Sequence, residues 1–453
     1  MTSRDLSTII KAYDVRGTVP DQLDDDIARA LGAAFALFTG ASTIVTARDM
    51  RETGVSLGAA FAEGATSQGA SVIDAGLGST DLLYYAAGTL DVPGAMFTAS
   101  HNPAKYNGIK LCLAGAAPVG QDTGLRQLRE DAERFLAEGL PAPVATPGTV
   151  EQRSLLEDYA AYVKGLVPGI DAIRPLKVVV DAGNGMGGLT VPVTFAGLPL
   201  DVTELYFELD GSFPNHEANP IDPENLRDLQ KAVLAEGADL GLAFDGDADR
   251  CFVVDERGAI VSPSTLTALI AERELARVPG STVIHNLITS RSVPEVVTEN
   301  GGTPVRTRVG HSFIKAEMAR TGAVFGGEHS GHFYFREFWN ADSGMLAALH
   351  ALAALGGQDG PLSALLTSYD RYAASGEINS TVTDQQAMVA EITARYADLE
   401  LDELDGLTVA SLDGWWFNVR ASNTEPLLRL NVEAPDEPTM ATVRDEVLAL
   451  IRA

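Results

Sequence analysis

The sequence predicts an α/β protein of four domains, in which three similar mixed α/β units and a smaller C-terminal α+β domain surround a central cleft. Its 453 residues are enough for several domains of roughly 100–200 residues each. β-Branched runs that begin at Thr43, Lys177 and Ser281 each lead into a polar turn and then a helix-like segment. This order is typical of strand-turn-helix units, and its recurrence indicates a structural repeat.

The three units are expected to contain crossover helices and to be separated by breaks in composition. Alanine-rich amphipathic stretches at residues 26–38 and 226–236 have the period of a helix. A proline-rich segment at 141–148 can end the first unit, and the turn at 255–258 can end the second.

The last part of the chain has a different order. From about Gly376, strand-like residues 378–382 precede a helix-like segment at 385–397, two further strand-like segments at 416–420 and 427–432, and a final helix. This is the order of a small α+β domain. The predicted domains are 1–148, 149–258, 259–372 and 373–453, with the chemistry at their junction.

The composition is that of a folded, strongly acidic, water-soluble chain. Hydrophobic residues make up 45% and charged residues 21% of the sequence, which is the usual range for globular proteins. A formal charge of −29 argues against nucleic-acid binding, because clustered Lys and Arg residues provide affinity for phosphate backbones. The same charge repels small anions, so any phosphate site must be built from local donors.

Cysteine use and the N-terminal residues favour a cytoplasmic location. Cys112 and Cys251 lie in apolar stretches and are too few for a disulfide framework. Residues 1–17 contain charged side chains where a signal peptide has an apolar core. No uncharged apolar run reaches the ~18 residues of a membrane span. We therefore expect a protein that binds neither membrane nor nucleic acid.

Ser100 and His101 form the first candidate site for chemistry. The segment Thr98-Ala-Ser-His-Asn-Pro follows the apolar residues 94–97, which predicts a tight loop at a strand end where a ligand can approach the serine hydroxyl. Lys110 adds a cation nearby in the sequence. An ordinary Asn-Pro turn explains the hexapeptide equally well.

The segment Phe244-Asp-Gly-Asp-Ala-Asp-Arg predicts a metal site. Its carboxylates at Asp245, Asp247 and Asp249 have a spacing that can converge on one hard cation such as Mg²⁺. An EF-hand is the main alternative, since Glu256 stands at its twelfth position, but Arg250 replaces the required glycine and the flanks are strand-like. The apolar flanks also argue against a solvated acidic loop.

A second glycine-framed loop, Gly327-Glu-His-Ser-Gly-His, contains side chains that can hydrogen-bond sugar hydroxyls. Its candidate binding residues are Glu328, Ser330 and His332. Zinc binding is the alternative, but the spacing matches zinc sites poorly. His311, which follows a glycine, is a possible proton carrier or simply a residue at a helix entry.

The segment Arg420-Ala-Ser-Asn-Thr-Glu-Pro-Leu-Leu-Arg has the donors of a phosphate clamp. Its members are Arg420, Ser422, Asn423, Thr424 and Arg429. The hydroxyls and amide can equally form a turn and a helix cap. We favour phosphate, because Arg420 precedes them at a strand end and supplies the local positive charge that the acidic chain requires.

The glycines Gly183, Gly185 and Gly188 follow a strand-like run and match the dinucleotide-binding pattern Gly-x-Gly-x-x-Gly, with Asp201 further on. The pattern alone is weak evidence, and nothing else in the sequence supplies redox chemistry. We interpret it as a structural turn and keep a dehydrogenase as the alternative.

Taken in order, these motifs resemble the α-D-phosphohexomutase superfamily, specifically its phosphomannomutase/phosphoglucomutase branch. The resemblance begins at Lys11-Ala-Tyr-Asp-Val-Arg-Gly, continues through the serine, acidic and Gly-Glu-x-Ser-Gly-His loops, and ends at Arg420-x-Ser-Asn-Thr-Glu-Pro. It therefore spans the chain, and a chance coincidence of all these signatures is far rarer than that of any one.

The resemblance implies a heart-shaped protein whose four domains each give one loop to the cleft, the last domain closing over the substrate. It implies a stable phosphoserine at Ser100 and one Mg²⁺ per chain, held by Ser100, Asp245, Asp247 and Asp249. A hexose 1,6-bisphosphate is implied as activator and intermediate. The candidate catalytic residues are Ser100, His101, Lys110, Arg16 and Arg250; the candidate substrate-binding residues also include Tyr13.

The implied reaction interconverts mannose 6-phosphate and mannose 1-phosphate, and also the glucose phosphates. A main activity on glucose phosphates and a metal-dependent sugar phosphatase are the alternatives. Small-molecule hexose phosphates are the expected partners of a monomer or homodimer. Some bacterial members carry a lysine near the position of Leu287; residues 285–291 have none here, and Arg291 or Lys315 are candidate replacements.

Overall fold

The computed structural model describes residues 4–11, 13–421 and 427–453, except for the side chain of His311. The chain divides into two compact units. One comprises Met1–Val261 and Ser330–Leu365, and the other comprises Ser262–His329 and Leu366–Ala453. The chain therefore passes from one unit to the other within the Gly-Glu-His-Ser-Gly-His segment.

In chain order, the strands are β1 (Val15–Thr18), β2 (Thr43–Arg48), β3 (Ser71–Leu77), β4 (Gly94–Phe97), β5 (Tyr106–Cys112), β6 (Val150–Gln152), β7 (Leu176–Asp181), β8 (Leu200–Leu205), β9 (Leu240–Phe244), β10 (Cys251–Asp255), β11 (Ile260–Val261), β12 (Thr282–Asn286), β13 (Thr303–Thr307), β14 (Phe325–Gly327), β15 (Phe333–Phe335), β16 (Ala341–Asp342), β17 (Ala373–Thr381), β18 (Glu400–Asp402), β19 (Leu407–Ala410), β20 (Trp416–Ala421) and β21 (Leu427–Ala434).

The α-helices are α1 (Asp25–Thr39), α2 (Thr53–Ser67), α3 (Thr80–Leu90), α4 (Leu125–Glu138), α5 (Leu156–Leu166), α6 (Gly187–Phe195), α7 (Arg227–Glu236), α8 (Pro263–Arg277), α9 (Ser292–Glu299), α10 (His311–Thr321), α11 (Gly344–Gly356), α12 (Leu362–Leu366), α13 (Gln385–Arg395) and α14 (Glu437–Ile451).

The first sheet has the strand order β1-β5-β4-β2-β3-β6. β4, β2, β3 and β6 run parallel. At one edge, β5 pairs antiparallel with β4, and β1 pairs antiparallel with β5. Helix α1 begins where the Asp24 carboxylate accepts from the backbone N–H of Ile27, and it ends at Gly40 in a left-handed conformation. Alanine-rich faces of α1 and α2 contribute to a buried apolar core with this sheet.

The second sheet repeats this arrangement with the order β11-β10-β9-β7-β8. Its parallel strands β9, β7 and β8 correspond in order to β4, β2 and β3, and β10 is the antiparallel addition as β5 is in the first sheet. In the second unit, β12, β13 and β14 are parallel. β12, the first of the three in the chain, lies between β14 and β13, as β2 and β7 lie between their neighbours in the first two sheets. The predicted repeat of three similar α/β units is confirmed.

The C-terminal sheet is antiparallel throughout, in the order β17-β21-β20-β19-β18. The predicted strands at 378–382, 416–420 and 427–432 correspond to β17, β20 and β21, and the predicted helices to α13 and α14. The sequence does not predict β18 and β19, because these strands are short and border an acidic stretch with little β-branched content. The smaller α+β domain is confirmed.

No helix in the described part of the chain combines the length and the apolar character needed to cross a lipid bilayer.

Candidate active site

Ser100 lies in a tight loop directly after β4. Its side chain is 6% exposed, and its Oγ donates to Asp245 Oδ2 over 2.8 Å and lies 3.2 Å from His101 Nδ1. The backbone N–H of Ser100 donates to Thr98 Oγ1 over 2.9 Å. Ser100 has a φ of 50°, a left-handed conformation that is costly for a residue with a side chain. The loop therefore holds the hydroxyl in a defined and strained position.

The acidic loop connects the antiparallel strands β9 and β10, which pair Phe244 with Cys251. Oxygen atoms of Asp245, Asp247 and Asp249 lie within 4.8 Å of one another, and all three side chains are buried. The flanking strands agree with the rejection of an EF-hand. Asp247 Oδ1 and Asp249 Oδ1 are buried, and neither has a hydrogen-bond partner among the described residues. Buried carboxylate oxygens normally have a partner, so this set fits a hard cation such as Mg²⁺.

The serine and acidic loops touch through their backbones. A Cβ on Gly246 would lie 2.5 Å from the carbonyl oxygen of Ser100, so only glycine permits this approach. On the other side, a Cβ on Gly185 would lie 2.7 Å from the carbonyl oxygen of Gly246, which accepts from the backbone N–H of Met186 over 2.9 Å. The glycine-rich segment thus packs against the acidic loop, as expected of a structural turn.

Lys110, on β5, neutralises part of the acidic cluster. Its Nζ donates to Asp247 Oδ2 and to Asp249 Oδ2, each over 2.7 Å. Burial alone would lower the pKa of Lys110, but the two carboxylates outweigh burial and raise the pKa well above its ordinary value. Burial raises the pKa of Asp247, whereas Lys110 holds the net pKa below its ordinary value. Thr80, at the start of α3, also donates to Asp247 Oδ2, over 2.6 Å.

Replacing Lys110 by methionine is expected to destabilise the first unit by about 3 kcal/mol without divalent metal, because two buried carboxylates lose their cation. Urea unfolding in a chelator measures this loss, and added Mg²⁺ is expected to restore part of it. Lys164→Met is the matched control, since Lys164 Nζ donates to the carbonyl oxygen of Ala196 at an exposed site. A loss below about 1 kcal/mol for Lys110→Met would contradict the role of this ion pair.

Arg250 connects the acidic loop with His101. Its Nε donates to Asp245 Oδ2 over 2.9 Å, and its Nη2 lies 2.6 Å from His101 Nδ1. Burial and the Arg250 guanidinium lower the pKa of His101 to about 2, so His101 is neutral and its Nδ1 accepts from Arg250. Burial raises the pKa of Asp245 to about 7 although Arg250 opposes the shift. A bound cation would favour the ionised carboxylate.

Arg16, on β1, reaches the serine loop from the other side. Its Nη1 donates to Asn102 Oδ1 and its Nη2 to Asp14 Oδ2, each over 2.6 Å. The buried Nε has no hydrogen-bond partner. Tyr13, which precedes β1 by two positions, is partly buried. The N-terminal signature thus brings a guanidinium to the loop that carries Ser100.

His332 joins the acidic site within the first unit. Its Nδ1 lies 3.0 Å from Asp342 Oδ2 and 3.7 Å from Asp249 Oδ1. Burial alone would lower the pKa of His332, but Asp249 and Asp342 outweigh it and raise the pKa. Oxygen and nitrogen atoms of these three residues could also hold a metal, but three carboxylates suit a hard cation better than two carboxylates and an imidazole do. The triple-aspartate set is the better candidate. Ser330 is partly buried two positions earlier.

In the second unit, Glu328 lies in a polar cluster. Its Oε1 accepts from the backbone N–H of Gly310 over 3.1 Å and faces Asn286 Nδ2 at 3.4 Å. Asn286 Nδ2 also lies 3.1 Å from His329 Nδ1. The cluster can present directional hydrogen bonds to a polyhydroxylated ligand. His311 begins α10 directly after Gly310, and its side chain lies outside the described part of the structure.

The two ends of the segment predicted as a phosphate clamp lie in the described part of the structure. Arg420 and Arg429 are opposite each other on β20 and β21, and both face Glu377, at 3.5 Å and 3.3 Å respectively. The buried Nε atoms of both arginines have no hydrogen-bond partner among the residues that the structure describes. Ser422, Asn423 and Thr424 lie outside the described residues. The hairpin thus carries two guanidinium groups with unused donors, which suits an anionic ligand.

Several side chains at these sites were not predicted from the sequence. Arg51 bonds the serine loop, Thr80 bonds Asp247, and Asn286 bonds the Glu328 cluster. Asp81 is buried behind the site and accepts from Tyr159 Oη over 2.7 Å and from Ser343 Oγ over 2.6 Å. Burial raises the pKa of Asp81 to about 6. These partners are distant in sequence, so no local motif marks them.

Leu287, near the position where some bacterial members carry a lysine, makes an apolar packing contact in this protein. Leu287 lies in a buried apolar cluster with Ile288 and Trp416 in the second unit. Arg291 donates from Nη1 to the carbonyl of Gly414 over 3.1 Å, and Lys315 is buried. Whether either residue replaces the lysine of some bacterial members stays a prediction.

Within the first unit, a serine hydroxyl bonded to one of three clustered, buried carboxylates, with a lysine paired to the other two, is the arrangement of a phosphoryl-transfer enzyme. Residues 7–134, 157–258 and 262–372 match family models described as phosphoglucomutase/phosphomannomutase alpha/beta/alpha domains I, II and III. Residues 377–450 match the C-terminal domain of the same family. The chain belongs to the phosphoglucomutase/phosphomannomutase family.

Named relatives agree with this assignment. A protein described as phosphohexose mutases from Xanthomonas campestris pv. campestris is 41% identical over 448 residues, which cover 98% of each chain. A phosphomannomutase from Escherichia coli is 39% identical over 457 residues, which cover 98% of this chain and 99% of the relative. A crystal structure of a family protein from Burkholderia thailandensis has a TM-score of 0.88 at 33% identity, with 100% of this chain and 98% of that chain covered.

Proposed function

We propose that this protein is a phosphohexomutase that interconverts mannose 6-phosphate and mannose 1-phosphate, and also turns over the glucose phosphates, with Ser100 as the phosphoryl carrier. The observation that carries the proposal is the 2.8 Å hydrogen bond from Ser100 Oγ to Asp245 Oδ2, inside a buried cluster of three carboxylates. A serine in this setting can exchange a phosphoryl group next to a cation that neutralises its charge.

The proposal assigns one Mg²⁺ per chain to Asp245, Asp247, Asp249 and the oxygen on Ser100. When bound, the cation supplies charge stabilisation for the transferring phosphoryl group. Lys110 keeps Asp247 and Asp249 in place through its two bonds, and Arg250 holds Asp245. The chain's own residues thus fix the carboxylates before substrate arrives.

In the first half of the proposed reaction, the P–O bond to Ser100 breaks while a P–O bond forms to the free hydroxyl of the sugar monophosphate. The proton of that sugar hydroxyl is transferred to Ser100 Oγ, directly or through a neighbouring base, so the products are a hexose 1,6-bisphosphate and free serine. Arg16, Lys110 and Arg250 are the candidates for stabilising charge or moving this proton. His101 is neutral and orients the site through Arg250.

In the second half, the bisphosphate reorients so that its other phosphoryl group faces Ser100. The P–O bond from that group to the sugar breaks, a P–O bond to Ser100 Oγ forms, and the serine proton passes to the sugar oxygen, directly or through a neighbouring base. The phosphate that does not react must then be held in either orientation. Arg420, Arg429 and the intervening Ser-Asn-Thr segment are proposed to hold it, because small donors and a guanidinium fork tolerate both orientations. A domain that closes over the substrate would exclude water, which otherwise hydrolyses the phosphoserine.

Glu328, Ser330, His332 and His311 are proposed to bind the sugar. The named relatives include phosphomannomutases at 39–40% identity, which supports mannose phosphates ahead of glucose phosphates as the main substrate. We also infer a cytoplasmic protein that acts as a monomer or homodimer, with domain boundaries at 1–148, 149–258, 259–372 and 373–453.

Replacing Arg420 by glutamine is expected to lower kcat/KM by about 10–100-fold, because charge-assisted hydrogen bonds are worth roughly 1.5–3 kcal/mol each. Steady-state kinetics with mannose 1-phosphate measure this loss. Arg395→Gln is the matched control in the same domain, since Arg395 pairs with Glu446 at an exposed site. Equal kcat/KM in the two variants would contradict the clamp.

The activity test compares purified enzyme on the 1-phosphates of mannose, glucose and glucosamine, with Mg²⁺ and a hexose 1,6-bisphosphate present. The expected result is conversion to the 6-phosphates, fastest for mannose and negligible for glucosamine. Inorganic phosphate as the main product would support the sugar phosphatase alternative. Faster turnover of glucose would make phosphoglucomutase the main activity.

A further inference from the structure

Arg51 is a cation buried beside the serine loop without facing open space. It follows β2, its side chain is 1% exposed, and its Nε donates to Asp49 Oδ2 over 3.2 Å. Burial of a guanidinium is costly unless its donors are all used. The burial of Arg51 therefore indicates that its guanidinium has a specific role.

The guanidinium bonds carbonyl groups of the serine loop and of the first residue of β5. Nη2 donates to the carbonyl oxygens of Ser100, over 2.9 Å, and Asn102, over 2.6 Å. Nη1 donates to those of Pro103, over 3.0 Å, and Tyr106, over 2.9 Å. With the bond to Asp49, the five N–H donors of the side chain are all engaged. Arg51 has no donor left for a substrate, so any role in the reaction is indirect.

A second segment closes over Arg51 from the opposite side. The Phe213 ring lies 5.1 Å from the guanidinium carbon, and a Cβ on Gly211 would lie 3.0 Å from Arg51 Cα. These residues follow β8, so the segment belongs to the second α/β unit of the sequence. Asn184, in the glycine-rich turn next to the acidic loop, accepts from the backbone N–H of Asp210 through its carbonyl over 3.0 Å. Arg51 is thus enclosed between the serine loop and a segment tied to the acidic loop.

The serine loop needs such support because its conformation is strained. Ser100 has a left-handed φ of 50°, and its carbonyl oxygen is pressed against Gly246. A strained residue persists only where its surroundings hold it. Arg51 bonds the carbonyl oxygen of Ser100, and the Oγ of the same residue bonds Asp245.

We propose that Arg51 is a positioning residue for phosphoryl transfer, which holds Ser100 Oγ in place by bonding three carbonyl groups of the loop and that of Tyr106 at the start of β5, and by packing under Phe213. The inference rests on the proposed role of Ser100. Lysine at this position keeps the charge but has no planar fork for four carbonyls, so Arg51→Lys loosens the loop without removing any group that touches substrate.

Arg51→Lys is expected to lower kcat about 100-fold, as displacement of a reacting atom by about 1 Å does, while KM changes less than about threefold. A loosened loop also admits water, so the ratio of hydrolysed to transferred phosphoryl group is expected to rise. The test measures kcat, KM and released inorganic phosphate with mannose 1-phosphate, on protein shown to be folded by its thermal unfolding midpoint.

Arg174→Lys is the matched control. Arg174 also bonds two carbonyl oxygens and one carboxylate, those of Gln358, Pro175 and Asp239, none of which belongs to the site. This variant is expected to lower the unfolding midpoint and leave kcat and the hydrolysed fraction unchanged. Folded Arg51→Lys with unchanged kcat, or with a higher KM alone, overturns the proposal.

If Arg51→Lys does not fold, Phe213→Leu tests the positioning role instead. Loss of the cation–π contact is expected to lower kcat roughly fivefold with KM unchanged, and an unchanged kcat overturns the proposal. Ser100→Ala, assayed in parallel, distinguishes failure of the proposed function from failure of the positioning role. Turnover retained in Ser100→Ala refutes the proposed function, whereas inactive Ser100→Ala with fully active Arg51→Lys refutes only the positioning role.

Discussion

Ser100→Ala is expected to lower kcat for mannose 1-phosphate by at least about 10⁴-fold, because removal of a nucleophile that forms a covalent intermediate removes most of the catalysis. The fold is expected to survive, since Asp245 Oδ2 keeps its 2.9 Å bond from Arg250 Nε. Intact mass spectrometry should find a population of the wild-type protein that is heavier by one phosphoryl group, localised to Ser100, and no such population in the variant.

Ser67→Ala provides the control for this substitution. Ser67 Oγ donates only to the carbonyl oxygen of Gly64 within α2, so the variant is expected to keep wild-type kcat and the heavier species. Turnover by Ser100→Ala within about tenfold of wild type would show that the hydroxyl is not the carrier.

Asp247→Asn is expected to have the second largest effect, with kcat lowered about 10³-fold and Mg²⁺ no longer stimulating activity. A bound cation supplies several kcal/mol of transition-state stabilisation. Asp247 offers the cation an Oδ1 atom that is buried and without a hydrogen-bond partner. The neutral amide is a poorer ligand for a hard cation.

Thermal unfolding gives a second measurement on the same variant. Mg²⁺ binding to the folded state should raise the wild-type unfolding temperature in a concentration-dependent manner, and this rise should disappear in Asp247→Asn. Asp255→Asn is the control, because its buried carboxylate bonds Arg257 and the backbone N–H groups of Arg257 and Ala259 instead of the acidic cluster. An undiminished rise in Asp247→Asn would exclude this carboxylate from the metal site.

The parts of the site that could be predicted from the sequence are those in which one short segment contains the chemistry. The three aspartates alternate within one loop, and apolar flanks predicted the strands β9 and β10 on either side. Ser100 was predicted in the same way, from an apolar run followed by turn-forming residues. The three similar α/β units followed from a repeated local order of strand, turn and helix.

The remaining parts depend on pairs of residues that are far apart in the sequence. Arg51 acts on carbonyl groups, which every residue possesses, so no residue type marks its partners. Ser343 meets Asp81 across 262 positions of the chain. The close backbone contact between the serine and acidic loops at Gly246 depends on the fold, and no local pattern in the sequence marks it. Hydrophobic periodicity and turn chemistry are local, and they contain no information on such contacts.

Transfer of a labelled phosphoryl group is the most direct test of Ser100 as the carrier. Enzyme carrying a radiolabelled phosphoryl group on Ser100 is mixed with excess mannose 1-phosphate and quenched at times shorter than one turnover. We expect the label to leave Ser100 and appear first in a mannose bisphosphate, at a rate no slower than kcat. Label that stays on Ser100 while product forms, or that appears first as inorganic phosphate, would contradict a mutase acting through this serine.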